Sequence, residues 1–245
     1  MDITVFSAPF GETAVELLEE LGNPAYKIAS FEAVDIALIQ RAAGTGKPLI
    51  ISTGMADLDE IGEAVEAARG AGCKDLILLH CVSDYPTPPE GSNLLTIPDM
   101  AERFGVPVGL SDHTPGVEVP LAAVALGAVL IEKHVTLERA EGGVDAAFSL
   151  EPDELRSLSD GARTAWNALG EVSYMCKDSE KPSLVFRRSL YVVEDIAAGE
   201  PFTGENVRCI RPGHGMAPKK LPEILGRTAK TDIKRGTPLS KGLIN

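Results

Sequence analysis

Lys27, Ser30 and Glu32 in YKIASFE, Ser52 and Thr53 in ISTGM, and Ser83 and Tyr85 in HCVSDYPTP each follow a short apolar run, as do Ser111, Asp112 and His113 in GLSDHT and Lys133 and His134 in IEKHVT. Lys27 with Ser30, Ser52 and Ser111 could cradle a phosphate, a point charge supplemented by hydroxyl and backbone donors. Taken singly, each is a solvated lysine or a turn serine; their repetition at successive run ends points to a site. His113 and His134 could share a divalent ion, since neighbouring parallel strands lie about 4.8 Å apart. Two imidazoles would leave positions open for water and substrate. On spacing alone the plainer reading, two hydrogen-bonded histidines at a rim, is favoured. Glu32 could act as a general base, or it could be the first-turn acid of a helix. GGVDAAFS puts Asp145 on a glycine-flanked loop near the last run, and RPGHG presents Arg211 and His214 on another; each is equally a surface turn. His80 receives no role.

The runs that must position these groups are ITVF (3–6), AYKIA (25–29), PLIIS (48–52), LILLHC (76–81), VPVGLS (106–111) and AVLIEKH (128–134). They are apolar on both faces, as buried parallel strands are. Their ends at Phe6, Ala29, Ser52, Cys81, Ser111 and His134 are spaced by 23, 23, 29, 30 and 23 residues, the period of βα units. ETAVELLEEL (12–21), DLDEIGEAVEAARG (57–70) and PLAAVALG (120–127) supply amphipathic stretches between them, and PDELRSLSDGARTAWNALG (152–170) reads as a closing helix. The unbroken period, and polar residues after successive runs, favour a TIM-type (β/α) barrel over an open α/β sheet. Alternation sets Lys27 with Ala29 on one strand face, and Ser111 with His113 on another. The barrel domain is expected over 1–176, a polar linker over 177–184 (KDSEKPS within it), and a β-rich domain over 185–245. Within the last, DIAAGEPFT (195–203) and DIKRGTPLS (232–240) form an internal pseudo-repeat.

Composition narrows the classes of function. The chain has 245 residues, 44% hydrophobic, with a net charge of −13. A nucleic-acid partner, which demands a basic face, is excluded. No run of 18 apolar residues and no secretory leader is present, so a cytoplasmic location is expected. Cys73, Cys81, Cys176 and Cys209 lie far apart, without the spacing of a zinc ribbon or a disulfide framework.

KIASFE, STGM, HC-x-S-x-YPTP, GLSDHT, EKHVTL, GG-x-DAAFSLEPDE, FRRSLYVVEDI and IRPGHG follow one another in the order found in sialic acid synthases. KIASFE, FRRSL and DAAFSLEPDE make the chain more similar to the pseudaminic acid branch than to the N-acetylneuraminate branch. The resemblance runs from about residue 3 to the C-terminus. It implies a (β/α)₈ barrel followed by a small β-clip (SAF, antifreeze-like) domain. The activity implied is metal-dependent condensation of phosphoenolpyruvate with a 2,4-diacetamido-trideoxy hexose, giving a nonulosonic acid and phosphate. His113 and His134 would hold Mn²⁺ or Mg²⁺. Lys27, Ser30, Ser52, Ser83 and Ser111 would surround phosphoenolpyruvate, Ser83 standing where the N-acetylneuraminate branch shows Asn. Tyr85, Glu32 and Asp145 would face the sugar, with Glu32, Lys27 and Asp145 as the catalytic set. Arg211 would reach a partner's site in a homodimer with swapped C-terminal domains.

Family members carry two further βα units before the segment resembling SAPF, and this chain begins just before it. Six units are therefore expected where a closed barrel needs eight, and weak or no turnover if the short form stands alone. An N-acetylneuraminate synthase is the alternative within enzymes. A catalytically incomplete fragment that binds ligand or dimerises is the alternative of another class. An antifreeze role for 185–245 is disfavoured by the charged RPGHG loop.

Overall fold

The computed structural model describes residues 3–245, in two compact units, Met1–Glu171 and Val172–Asn245. No helix among the described residues is long and apolar enough to cross a membrane.

The first unit alternates helices and strands: α1 (Glu12–Glu20), β1 (Tyr26–Ile28), α2 (Ile36–Ala43), β2 (Leu49–Ser52), α3 (Leu58–Gly70), β3 (Leu76–Cys81), α4 (Thr96–Phe104), β4 (Val108–Asp112), α5 (Glu118–Ala125), β5 (Ile131–Lys133) and α6 (Pro152–Leu169). Local chemistry sets the helix ends. Asp57 and Glu60 form a reciprocal capping box before α3, and α4 stops at Gly105, whose φ of 58° suits a residue without a Cβ. The five strands are all parallel and lie in chain order, β1-β2-β3-β4-β5. An open doubly wound sheet reverses its order at a switch point; this one does not, so it curls as part of a barrel.

The first apolar run departs from expectation. ITVF forms no strand: only Ser7 joins the sheet, by one parallel bridge to Tyr26. Ile3, Val5 and Phe6 are 72%, 79% and 42% exposed. One bridge to a three-residue strand, with little covering the side chains, does not offset the entropy of ordering the segment. Five strands thus stand where six were expected.

Alternation divides the sheet into two chemistries. Tyr26, Ile28, Leu49, Ile51, Leu76, Leu78, Val108 and Leu110 face the helices and join Val15, Leu38, Ile39, Ala64, Val65, Ile97 and Met100 in one core cluster. The other face carries Lys27, Ser52, Cys81, Ser111 and Glu132. The register confirms this, with Cys81 opposite Ser111 and Ser111 opposite Glu132, since paired residues of parallel strands point to the same side.

The second unit begins with exposed chain, residues 172–176, and a run of 3₁₀ turns, Asp178–Phe186, over the segment read as a linker. Beyond it, β6 (Ser189–Val192) pairs antiparallel with β7 (Val207–Ile210), and a short α7 spans Leu221–Ile224. The pseudo-repeat is a physical symmetry. Ile196 and Ile233 bridge, each donating its N–H to the other's carbonyl at 2.9 and 2.8 Å. Asp195 accepts from the N–H of Arg235 at 2.9 Å, and Asp232 accepts from Ala198 at 2.8 Å, so each repeat caps the other's turn. Those turns use Gly199 and Gly236 at φ 82° and 88°, a region costly for any other residue. Leu190, Val192, Ile196, Phe202, Val207, Ile233 and Leu239 form its core.

Candidate functional site

At the C-terminal ends of β1 to β5 the inward residues converge. Lys27 Nζ lies 3.1 Å from Glu132 Oε1, and Ser111 Oγ donates to the same oxygen at 2.7 Å. Ser30 opens the 3₁₀ turn Ser30–Glu32, and its Oγ accepts from Gly54 N at 3.2 Å. Gly54 has no side chain for a reason. A Cβ there would stand 2.4 Å from Ser83 Oγ, 2.9 Å from Ser30 Oγ and 3.1 Å from Cys81 Sγ. Three polar atoms from the ends of β1 and β3 therefore meet over the bare backbone that follows β2. Ser52 Oγ, Ser83 Oγ and Glu32 Oε2 are buried without a hydrogen-bond partner in the protein. Native structures rarely leave such atoms unpaired unless water or a ligand serves them. Glu32 lies in a 3₁₀ turn ahead of α2, whose cap is Asp35, so it is not the first-turn acid of that helix.

Above this level stand the two histidines, their ring centroids 5.3 Å apart. His113 Nδ1 sits 2.9 Å from Val82 O, and His134 Nδ1 lies 3.5 Å from Asp145 Oδ2. The Val82 carbonyl anchors the His113 ring through Nδ1, as the outer partner of a ligating histidine does, while Asp145 stands within ion-pair range of His134. Among the described residues no group of three or more His, Cys, Asp or Glu converges to hold a metal ion. The donors that could face a cation are the two imidazoles, and its other positions would fall to water or substrate. Tyr85 closes one side, its ring 4.1 Å from that of His113, and Phe148 packs 5.2 Å from His134.

Long-range pairing brings Asp145 and Phe148 there. Leu150 N donates to His134 O at 2.9 Å and Thr136 N to Leu150 O at 2.9 Å, which folds the intervening loop back on the β5 end. Arg139 bonds Glu154 and the carbonyl of Ser149, tying the loop to the start of α6. Contacts thus join Lys27 with Ser111, Ser30 with Ser83 about Gly54, and Tyr85 with His113, His134 and Asp145, while Ser52 and Glu32 lie at the same strand ends without a contact to these groups. Arg211 belongs to the second unit, just after β7, where Ser189 holds the RPGHG loop by donating to Pro212 O at 2.7 Å and accepting from Gly215 N at 2.9 Å.

Asp112 and Lys133 also follow their runs but face the other way. They form an ion pair with 2% and 3% of their side chains exposed, and Lys133 also bonds Thr114 O. His80 likewise points outward, 2.7 Å from Ser92 O. Three groups of the site went unremarked in the sequence: Cys81, Glu132 and Phe148. Alternation carries the signal for two of them, because Glu132 lies two residues before His134 and Cys81 two before Ser83. Nothing local marks Phe148.

The charges are tuned in pairs. Burial pushes the Cys81 thiol up, but hydrogen bonds with His113, Ser30 and Ser111 bring it below the usual thiol value. Burial pushes His113 down, and its bonds to Cys81 and Val82 overcome this, leaving it above the usual imidazole value. His134 is lowered by burial first and by His113 next, against Asp145 and Glu132. The Tyr85 phenol is raised, chiefly by burial.

Comparison with known proteins supplies the family. The NeuB family model matches residues 1–174 and the SAF domain model residues 187–244. The chain is 44% identical over 242 residues to pseudaminic acid synthase of Helicobacter pylori, covering 98% of this chain and 71% of that protein. It is 39% identical over 236 residues to N,N'-diacetyllegionaminic acid synthase of Campylobacter jejuni, covering 95% of this chain and 71% of that one. Among solved structures, the spore coat polysaccharide biosynthesis protein SpsE of Bacillus subtilis aligns with a TM-score of 0.66 at 33% identity, over 99% of this chain and 74% of that one. A polar site at the strand ends of a curled parallel sheet, two family models in tandem and these relatives agree: the chain belongs to the NeuB family and carries a SAF domain.

Proposed function

We propose that this chain condenses phosphoenolpyruvate with an open-chain 2,4-diacetamido-trideoxy hexose, giving a pseudaminic-type nonulosonic acid and inorganic phosphate. What supports the reading is that Ser52 Oγ, Ser83 Oγ and Glu32 Oε2 are buried without partners at the ends of strands that also carry Lys27, paired to Glu132, and two imidazoles 5.3 Å apart. A doubly charged phosphate needs such donors and one fixed cation.

In this reading Lys27, Ser30, Ser52, Ser83 and Ser111 hold the phosphate ester. Their charge and dipoles balance it as C3 of phosphoenolpyruvate attacks the aldehyde carbon and water adds at C2. Glu32 Oε2 is the acceptor that orients that water and takes its proton. Expulsion of phosphate from C2 then completes the balance: enol ester, aldehyde and water in, keto acid and phosphate out. Tyr85 and Asp145 border the sugar. His113 and His134 would hold a divalent cation, Mn²⁺ or Mg²⁺, which supplies Lewis-acid polarisation of the aldehyde oxygen. The reading includes a cytoplasmic homodimer in which Arg211 serves a neighbouring copy; light scattering tests the dimer, and R211A the contribution.

The decisive assay is phosphate release from phosphoenolpyruvate with 2,4-diacetamido-2,4,6-trideoxy-altrose and Mn²⁺, with and without chelator. Release abolished by chelation is the expected result. Release with N-acetylmannosamine instead would favour the N-acetylneuraminate alternative. Binding of phosphoenolpyruvate with no release from any hexose would replace the synthase by a ligand-binding fragment.

A further inference from the structure

The cation expected to receive a phosphate is already paired. Lys27 Nζ faces Glu132 Oε1 at 3.1 Å, and the second expected donor, Ser111 Oγ, is committed to the same oxygen at 2.7 Å. A phosphate arriving at Lys27 therefore meets a carboxylate on its own counter-ion, and like charges at contact distance repel strongly in a half-buried setting. The pair is unequally held: 14% of the Lys27 side chain is exposed but 37% of Glu132. Lys27 is the fixed member and Glu132 the one with room to turn.

The carboxylate has a second cation site within reach. Glu132 and His134 are two residues apart at the end of β5, so their side chains leave the same face of the sheet. Two sites of opposite sign, Lys27 with Ser111 and His113 with His134, thus share one movable anion.

We propose that Glu132 is a transferable counter-anion, which occupies Lys27 and Ser111 until the phosphate-bearing substrate takes them, and then turns to the divalent cation at His113 and His134. It is a positioning residue. The inference rests on the functional reading above and adds to it an order among the binding events. The anion displaces the carboxylate, and the displaced carboxylate supplies an oxygen to the cation. By linkage the cation must tighten the anion by the same factor. Loading of the two sites becomes cooperative, although no residue is shared by both ligands at once.

The test is calorimetric titration of phosphoenolpyruvate into metal-free and Mn²⁺-saturated wild type and E132Q, with Mn²⁺ binding followed separately by electron paramagnetic resonance. Glutamine keeps an acceptor for Ser111 and removes the charge. Metal-free E132Q should bind phosphoenolpyruvate at least threefold more tightly than wild type. The factor by which Mn²⁺ tightens it should fall at least threefold. Equal or weaker metal-free binding by a folded E132Q would overturn the proposal, because Glu132 would then be supporting Lys27. So would an unchanged coupling factor. If E132Q does not fold, E132D, one methylene short of Lys27, should show the same two shifts, and their absence counts equally against the proposal. Wild type that binds Mn²⁺ but no phosphoenolpyruvate would sink the functional reading and this inference together. Wild type that binds both, with E132Q unaltered, would sink only the inference.

Discussion

In the second unit each aspartate that opens a repeat accepts a backbone N–H from the other repeat, while in the first unit Ser52, Ser83 and Glu32 bury polar atoms that nothing in the protein satisfies. Among the described residues, every buried unpartnered side-chain atom belongs to the first unit. Apolar exposure does not follow this division: Tyr174, Met175 and Phe186 of the second unit are exposed, as Phe10, Leu137 and Trp166 of the first are. One unit spends its hydrogen bonds on itself, and the other holds some back at its strand ends. Ser92 Oγ, beside the outward His80, is also unpartnered, so what marks a site is that the other three such atoms all lie at strand ends that also carry a lysine and two histidines.

If that contrast is right, groups of the first unit that are paired should matter to its fold, and those that are unpaired should matter only to ligands. D112N tests the first clause and should have the largest effect. It strands the Lys133 ammonium in the helix-facing layer, which costs about 3–5 kcal/mol for a broken buried pair. Chemical denaturation should show the loss, with amide protection falling through β4 and β5. A loss below about 1 kcal/mol would mean that the pair is solvated in practice. I196A, at a residue 2% exposed, should cost about 2–5 kcal/mol. Protection should fall throughout 187–245 and leave Mn²⁺ binding by the first unit unchanged. S52A sharpens the second clause. Removing a hydroxyl without a partner should leave the melting temperature unchanged or slightly higher, while phosphoenolpyruvate affinity drops by about 10–100-fold, the worth of one charge-assisted hydrogen bond. A drop in melting temperature with unchanged affinity would make Ser52 structural.

The smallest effect concerns acid. The N–H of Arg235 and then Lys234 hold the Asp195 carboxyl below the usual carboxylate range. A depressed folded-state value stabilises above the unfolded value, near 3.9, and the contribution disappears as pH falls through the folded value. The wild-type advantage over D195N should therefore be constant near neutrality, begin to fall at about pH 4 and be gone once the pH is below the depressed folded-state value. The group is fully exposed, so the difference should be slight and should shrink with salt. A difference that persists in acid would separate the cap from its charge.

Much of this division could be read in the residues themselves. The apolar runs from AYKIA onward became β1 to β5, and α1, α3 and α6 cover the sheet from stretches whose polar and apolar positions alternate with a helical period, whereas PLAAVALG, read as amphipathic, is apolar nearly all round in α5. DIAAG and DIKRG announced their symmetry, since the same residue types make the same bonds in both directions. ITVF failed because strand formation there depends on neighbours on both sides, which its own apolar content does not supply. Asp112 and Lys133 were grouped with the mouth residues by position, although alternation sets them opposite His113 and His134. Glu132 was legible on the same argument, but a glutamate beside a lysine in the chain looks like surface charge until the register sets it beside Ser111 and the curl of the sheet brings it to Lys27. Asp145 was legible as a loop residue near the last run, but the approach of Phe148 was not. It depends on Leu150 returning to pair with the His134 carbonyl, a contact between segments that carry no complementary pattern.

The exchange of N–H groups between Ile196 and Ile233 also has a meaning in time. Both residues are buried, at 2% and 3% exposure, and each amide points into the other's carbonyl rather than toward solvent. Such amides reach water only when the whole unit opens. Their deuterium uptake is therefore a clock for complete unfolding of residues 187–245, set by two protons and readable without any probe at the strand-end site.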